Sequence, residues 1–371
     1  MKKIILIHFF IILHALTAQQ VVDSTKVFGV TITDPWGDRT DLIEALSEHC
    51  LKPTGRIVFD EWVAASEYDD VISDLEPHCF IMGEILDSYY VQAYSVQQYL
   101  DRTTEYLNRF ENEVDIWEIG NEVNGEWLGE TDSVIAKIEG AYDIVSDRGK
   151  QTALTLYYNK ACYENPENEM FTWVNENLPE SMKQGLDYVL VSYYEDDCEG
   201  VILSQAEWQA VFDSLRQIFP NSKLGMGECG TLIEEKKAEY MSRYYRMEIT
   251  TPGYIRGYFW WYYQHDCVPK TKALWDTLDT IAEEWLEPSA IVENNTSSSP
   301  LQLKIYPNPT RGSFSILSDQ VLQVEIYNIL GQRVMAPEKF RNINLSDFPK
   351  GIYFLHIRTP KRWENVKMVL F

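Results

Sequence analysis

Two carboxylates close strand-like runs in this sequence, and both stand where chemistry could use them. Val114-Asp115-Ile116-Trp117-Glu118-Ile119-Gly120 is rich in β-branched and aromatic residues and leads directly into Asn121-Glu122. Lys223-Leu224-Gly225-Met226-Gly227 leads in the same way into Glu228. A pair of carboxyls can divide acid and base work when one is held protonated and the other ionised, and burial with mutual repulsion splits their pKa values. Flanking a glycosidic bond, one protonates the leaving oxygen while the other attacks the anomeric carbon or activates water. Other strand ends supply aromatic rings, among them Trp36, Tyr194 and Trp261. Aromatic faces stack on the apolar faces of sugar rings, and amides such as Asn121 take the hydroxyls.

The elements that must position these groups alternate. Strand-like runs at 27–31, 56–59, 80–83, 114–120, 152–157, 188–193, 223–227 and 257–261 are separated by helical patterns at 41–50, 95–111, 132–148, 169–185, 204–219 and 234–249. Another helical pattern at 272–285 closes the series, and only the stretch after the second strand lacks a clear one. Eight strand–helix units predict an α/β fold, a (β/α)8 TIM barrel spanning 24–290. A doubly wound open sheet is the alternative, but it calls for a Gly-rich turn after the first strand. That turn reads Thr31-Ile32-Thr33-Asp34-Pro35-Trp36-Gly37. In a barrel, Glu122 and Glu228 end strands four and seven, three units apart and facing one another across the mouth.

At these positions the sequence resembles the clan A retaining glycoside hydrolases. Trp117-Glu118-Ile119-Gly120-Asn121-Glu122 is similar to the strand-four signature of that clan, and Met226-Gly227-Glu228 to its strand-seven position. The resemblance implies Glu122 as acid/base, Glu228 as nucleophile and Asn121 on the sugar 2-hydroxyl. It further implies Tyr194, from Ser192-Tyr193-Tyr194, beside the nucleophile, Trp261 on the subsite floor and Arg56 steadying the nucleophile. Agreement is strong only at strands four and seven. Elements of it are shared with galactanases, cellulases and mannanases, and the ends of strands one and three match nothing in the clan. The expectation is an endo-acting hydrolase of a neutral β-linked polysaccharide. A non-catalytic sugar-binding or adhesive protein on the same scaffold is the rival reading, and a transglycosylase is not separable from a hydrolase.

Charge divides the chain. The net charge is −25. From Leu301 onward there are 10 Lys and Arg against 5 Asp and Glu, a balance of +5 that leaves −30 to the first 300 residues. So acidic a main region argues against nucleic acid, whose phosphates need Lys and Arg. Residues 291–300 are small and polar and read as a linker. The runs beyond it, divided by turn residues, predict a small all-β sandwich over 301–371. Ile305-Tyr306-Pro307-Asn308-Pro309, Val324-Glu325-Ile326-Tyr327-Asn328-Ile329-Leu330-Gly331-Gln332 and Pro349-Lys350-Gly351-Ile352-Tyr353-Phe354 resemble the C-terminal sorting domain of the type IX (Por) secretion system. This implies the secretion machinery as a partner and a secreted or surface-attached product.

At the other end, Lys2 and Lys3 precede an apolar run from Ile4 to Leu13 and then Ala15-Leu16-Thr17-Ala18, a secretory signal peptide over 1–18. No later run is long enough to span a membrane. Export makes disulfides reasonable. The barrel sets the six cysteines on neighbouring units, which predicts the bridges Cys50–Cys79, Cys162–Cys198 and Cys229–Cys267. His49, His78, His265 and His356 are scattered without ligand spacing, so no metal and no cofactor is expected. A monomer is expected.

Overall fold

The structure, a computed structural model, describes residues 26–160, 162–286, 304–306, 310–317, 321–328, 332–337, 343–358 and 363–370. The signal peptide and linker read from the sequence lie outside these residues, as do Pro307-Asn308-Pro309 and Gly331. The chain separates into two compact units, Met1–Ala290 and Ile291–Phe371.

In the first unit, eight parallel strands close on themselves in sequence order. They are β1 (Val27–Ile32), β2 (Thr54–Val58), β3 (Phe80–Glu84), β4 (Ile116–Gly120), β5 (Gln151–Tyr157), β6 (Tyr188–Ser192), β7 (Lys223–Glu228) and β8 (Tyr254–Trp260). The helices are α1 (Thr40–Ser47), α2 (Asp69–Leu75), α3 (Val96–Phe110), α4 (Thr131–Ser146), α5 (Met170–Asn177), α6 (Glu180–Gly185), α7 (Gln205–Ile218), α8 (Lys237–Tyr245), α9 (Tyr263–Cys267) and α10 (Ala273–Leu286). The fold expected from the alternating pattern is therefore a (β/α)8 TIM barrel.

Both faces of each strand are covered, which is why the strands read as nearly continuous apolar runs. One face packs on the helices, where Trp117, Trp173, Trp208 and Trp260 are fully buried. An aromatic side chain buries about 150–250 Å², worth about 4–6 kcal/mol at about 25 cal/mol per Å². The helix starts are explicit. Ser95 and Ser204 each form a reciprocal capping box, with Gln98 and Glu207 respectively.

The structure departs from the sequence reading in four places. The helical pattern at 169–185 is two helices, because Leu178-Pro179 has extended backbone and divides it. α2 forms where no clear pattern was visible, and α9 is a short addition after β8. Only Cys162–Cys198 is bonded; Cys50, Cys79, Cys229 and Cys267 are free thiols. Side-chain direction explains this correction. The Cys79 Sγ donates to Leu75 O and the Cys229 Sγ to Tyr258 O, each turned into packed structure, while Cys50 lies exposed against Asp279.

The second unit holds a three-stranded antiparallel sheet and a four-stranded one. The first comprises β9 (Lys304–Tyr306), β10 (Ser313–Leu317) and β13 (Ile343–Asn344). The second comprises β11 (Gln323–Asn328), β12 (Arg333–Met335), β14 (Gly351–Arg358) and β15 (Trp363–Leu370). Phe314, Ile316, Val324, Ile326, Leu355 and Ile357 are among the residues of its own core.

Candidate active site

The C-terminal ends of the barrel strands converge on Glu122 and Glu228, both buried. β4 ends at Gly120, where no side chain fits: a Cβ there would stand 2.7 Å from Val123 Cγ1 and 2.8 Å from Ile138 Cγ2. Two residues later Glu122 has φ 49°, a left-handed conformation that costs a glutamate on the order of 1–3 kcal/mol. Its neighbours enforce it: Gly125 N donates to Glu122 O at 2.7 Å and Val123 N to Thr155 O at 3.2 Å. Among the described non-glycine residues Glu122 shares such a positive φ with Trp62, Glu199, Arg256 and Tyr258.

Two hydroxyls hold the Glu122 carboxyl. Ser192 Oγ donates to Oε1 at 2.6 Å and Ser88 Oγ to Oε2 at 2.9 Å. Ser88 in turn accepts from Trp127 Nε1 at 3.1 Å. Glu228 is held differently. Tyr194 Oη donates to its Oε1 at 2.7 Å, and Arg56 Nη1 approaches its Oε2 at 3.2 Å. Ser192 stands level with Glu228 across the β6–β7 register while its hydroxyl reaches Glu122.

Arg56 is fully buried on β2 and sits among three carboxyls. It forms a fork to Glu118 (Nε–Oε2 2.6 Å, Nη2–Oε1 3.1 Å) and makes an ion contact with Glu84 at 3.0 Å besides its contact with Glu228. Glu84 and Glu118 are level across β3 and β4. Thr155 Oγ1 donates to the same Oε1 of Glu118 that Arg56 Nη2 reaches. Burial opposes the charge on Arg56, but Glu118, Glu84 and Glu228 together hold its pKa well above the ordinary value. Burial drives Glu84 well above the usual carboxylate range in spite of Arg56.

Burial also raises Glu122 to about 7, against the two serine hydroxyls, and Glu228 to about 8, against Arg56 and Tyr194. Glu122 raises Glu228 further by its charge. Near neutral pH such a pair shares about one proton. Taken singly the two values would put that proton on Glu228. The fixed guanidinium argues the other way, because Arg56 touches Glu228 directly and Glu122 receives only neutral hydroxyls. A cation in contact outweighs a neutral donor in a low-dielectric site, so the geometry favours the anion on Glu228.

Of the remaining residues singled out from sequence, Trp261 lies with its ring centroid 5.7 Å from the Arg56 guanidinium. Asn121 is buried and its Oδ1 has no hydrogen-bond partner. Trp36 is 39% exposed, donates from Nε1 to Asp60 at 2.6 Å and sets its ring 4.6 Å from that of Tyr68. Ser88, Trp127 and Thr155 escaped the sequence reading. Nothing in the sequence says that Glu84 comes level with Glu118. Among the described residues no group of His, Cys, Asp and Glu is arranged to hold a metal. No helix of these residues is long and apolar enough to cross a membrane.

Residues 304–370 match the family model of the secretion system C-terminal sorting domain. The second unit is a type IX sorting domain. It directs the chain to the cell surface or the extracellular space through the type IX machinery. No curated protein matches the sequence. Similar solved structures include a modular endo-β-1,4-mannanase from Cellulomonas fimi, 12% identical with a TM-score of 0.47, covering 93% of this chain and 93% of that one. Another is Gas2p of Saccharomyces cerevisiae in complex with laminaritriose and laminaritetraose, 12% identical with a TM-score of 0.47, covering 73% and 69%. An FMN-binding β-glucuronidase from Facaelibacterium prausnitzii L2-6 is 11% identical with a TM-score of 0.45, covering 93% of this chain and 56% of that one.

Proposed function

We infer that the barrel is a retaining glycoside hydrolase, with Glu122 as the general acid/base and Glu228 as the nucleophile. The observation that carries this reading is the unlike support of the two buried carboxyls, a guanidinium and a phenol on Glu228 and two hydroxyls on Glu122. Retention requires carboxyls about 5–5.5 Å apart, and the charge of Glu122 acting on Glu228 suits a close pair.

In the first step the Glu228 carboxylate attacks the anomeric carbon and the C–O bond to the leaving sugar breaks. The Glu122 proton passes to the departing oxygen. The Glu122 carboxylate then takes a proton from water, whose oxygen displaces Glu228 and frees the sugar with its configuration retained. Arg56 and Tyr194 hold the Glu228 oxygens for attack. The unpaired Asn121 Oδ1 is a ready acceptor for a sugar hydroxyl, and Trp261 offers a stacking face next to Arg56. The acidic barrel and its aromatic rim suit a neutral β-linked polysaccharide cut within the chain, delivered to an enzyme outside the cell.

Release of reducing sugar from β-mannan, β-glucan, xylan and β-galactan, by wild type and by Glu228→Ala, tests the reading. Release by wild type alone supports it and names the polymer. Equal release by both removes Glu228 from the chemistry. Binding without release by either returns the barrel to a sugar-binding role.

A further inference from the structure

The loop after β2 presents a ring that the catalytic pair does not use. Trp62 is 60% exposed, the most exposed of the tryptophans among the described residues. Its backbone stands at φ 61°, a conformation that bulky residues rarely adopt. The surroundings leave it little alternative. Buried Arg102 donates to Phe59 O, Asp60 O, Val63 O and Ile85 O, so it grips the loop on both sides of Trp62. The Trp62 N–H donates to Tyr94 Oη at 2.6 Å. The indole lies flat on the Tyr94 ring, with centroids 4.0 Å apart and planes 10° from parallel.

One face of the indole is therefore covered by Tyr94, and the exposed area belongs to the other. An aromatic ring gains by burial, so a loop fastened to keep one in water is better explained by a ligand than by folding. A ring already immobilised loses little entropy when it binds. Glu61 precedes it in the loop, near enough to Tyr90 for its charge to raise that phenol. Arg102 is turned inward to the carbonyls, which leaves carboxylate character at the rim. A flat apolar face edged by acceptors suits the C–H face and hydroxyls of an uncharged sugar ring and repels an anion. Trp62 lies four residues beyond the end of β2, the strand whose Arg56 touches Glu228.

We propose that Trp62, with Glu61 next to it in the same loop, is a distal sugar-binding subsite that engages a ring removed from the bond being cleaved. The proposal rests on the glycosidase reading above and makes the substrate a chain, not a single glycoside.

Wild type, Trp62→Ala and Trp62→Phe are compared by affinity electrophoresis in gels containing each of the four polymers. They are also compared by kcat/KM on the preferred polymer and on a short chromogenic glycoside of the same sugar. In Trp62→Ala the ratio of polymer to short-substrate kcat/KM should fall about tenfold, with polymer retardation weakened to match and Tm held. Trp62→Phe, which keeps a stacking face, should recover most of the loss. Wild-type hydrolysis with no change in Trp62→Ala would overturn the subsite and leave the glycosidase intact. Equal loss on both substrates would assign Trp62 a structural role. A wild-type dimer that Trp62→Ala dissociates would assign the ring to self-association. No wild-type binding or hydrolysis would overturn the glycosidase reading itself.

Discussion

Ser192→Ala removes one hydroxyl from the support of Glu122 and should move the enzyme's pH profile in a direction the structure dictates. The hydroxyl donates to Oε1 at 2.6 Å, and such a bond stabilises the carboxylate more than the acid. Burial pulls the other way and prevails, since Glu122 stands at about 7 with both serines in place. A hydrogen bond to a buried charge contributes about 1.5–3 kcal/mol, and one pKa unit corresponds to about 1.4 kcal/mol. Removing the bond should therefore raise Glu122 by about one to two units above about 7. The assay is kcat/KM against pH, which reports the free enzyme. Its alkaline limb marks loss of the proton the pair shares, and it should move up by about one to two units. Ser88→Ala acts on the other oxygen at 2.9 Å and should shift the limb the same way, by less. A limb that stays in place or moves down in Ser192→Ala, with circular dichroism unchanged, would refute the role of these hydroxyls and the assignment of the limb to Glu122.

The same burial should show in stability. Glu122 rises from 4.5 to about 7 on folding, so the folded chain keeps a proton that the unfolded chain gives up. Stability is fully present below about pH 4.5 and falls as the pH rises to about 7, by at most about 3 kcal/mol from this group. Glu122→Gln should be more stable than wild type in urea at pH 8 and equal to it at pH 4. No gain at pH 8 would mean that the carboxyl is not held protonated by burial. Thiol titration of the denatured, unreduced protein should find four thiols, and six after reduction. Because Cys162–Cys198 closes a span of 36 positions, its reduction should cost about 4 kcal/mol of stability.

The barrel was legible because a parallel strand covered on both faces writes itself as an apolar run, and eight such runs leave few arrangements. Glu122 and Glu228 stood out because each breaks such a run at its end. What the sequence withheld depends on register and direction. Glu84 and Glu118 look like separate charges until β3 and β4 are laid side by side and Arg56 is found between them. Cysteines on neighbouring units seemed ready to pair. Yet Cys229 directly follows Glu228, and by alternation its side chain leaves on the other face. Ser88 carries no local signal, since its partner Trp127 comes from the next strand's loop. Pro179 was a readable break, because the residue before a proline avoids helical backbone.

Closure of the barrel has a consequence for how the chain is made. β1 pairs with β8, and Thr31 with Phe259 and Asp34 with Gln264 bridge 228 and 230 positions of sequence. Bringing chain ends together over such a length costs about 5 kcal/mol of configurational entropy, and the cost is met only when the last strand is present. A chain that stops short of β8 is left with two open parallel edges, the kind of surface that recruits other chains. The sorting domain begins at residue 304, after β8 ends at Trp260. Every chain carrying that export label therefore already contains the strand that seals the ring, and a prematurely ended barrel bears no passport to the cell surface.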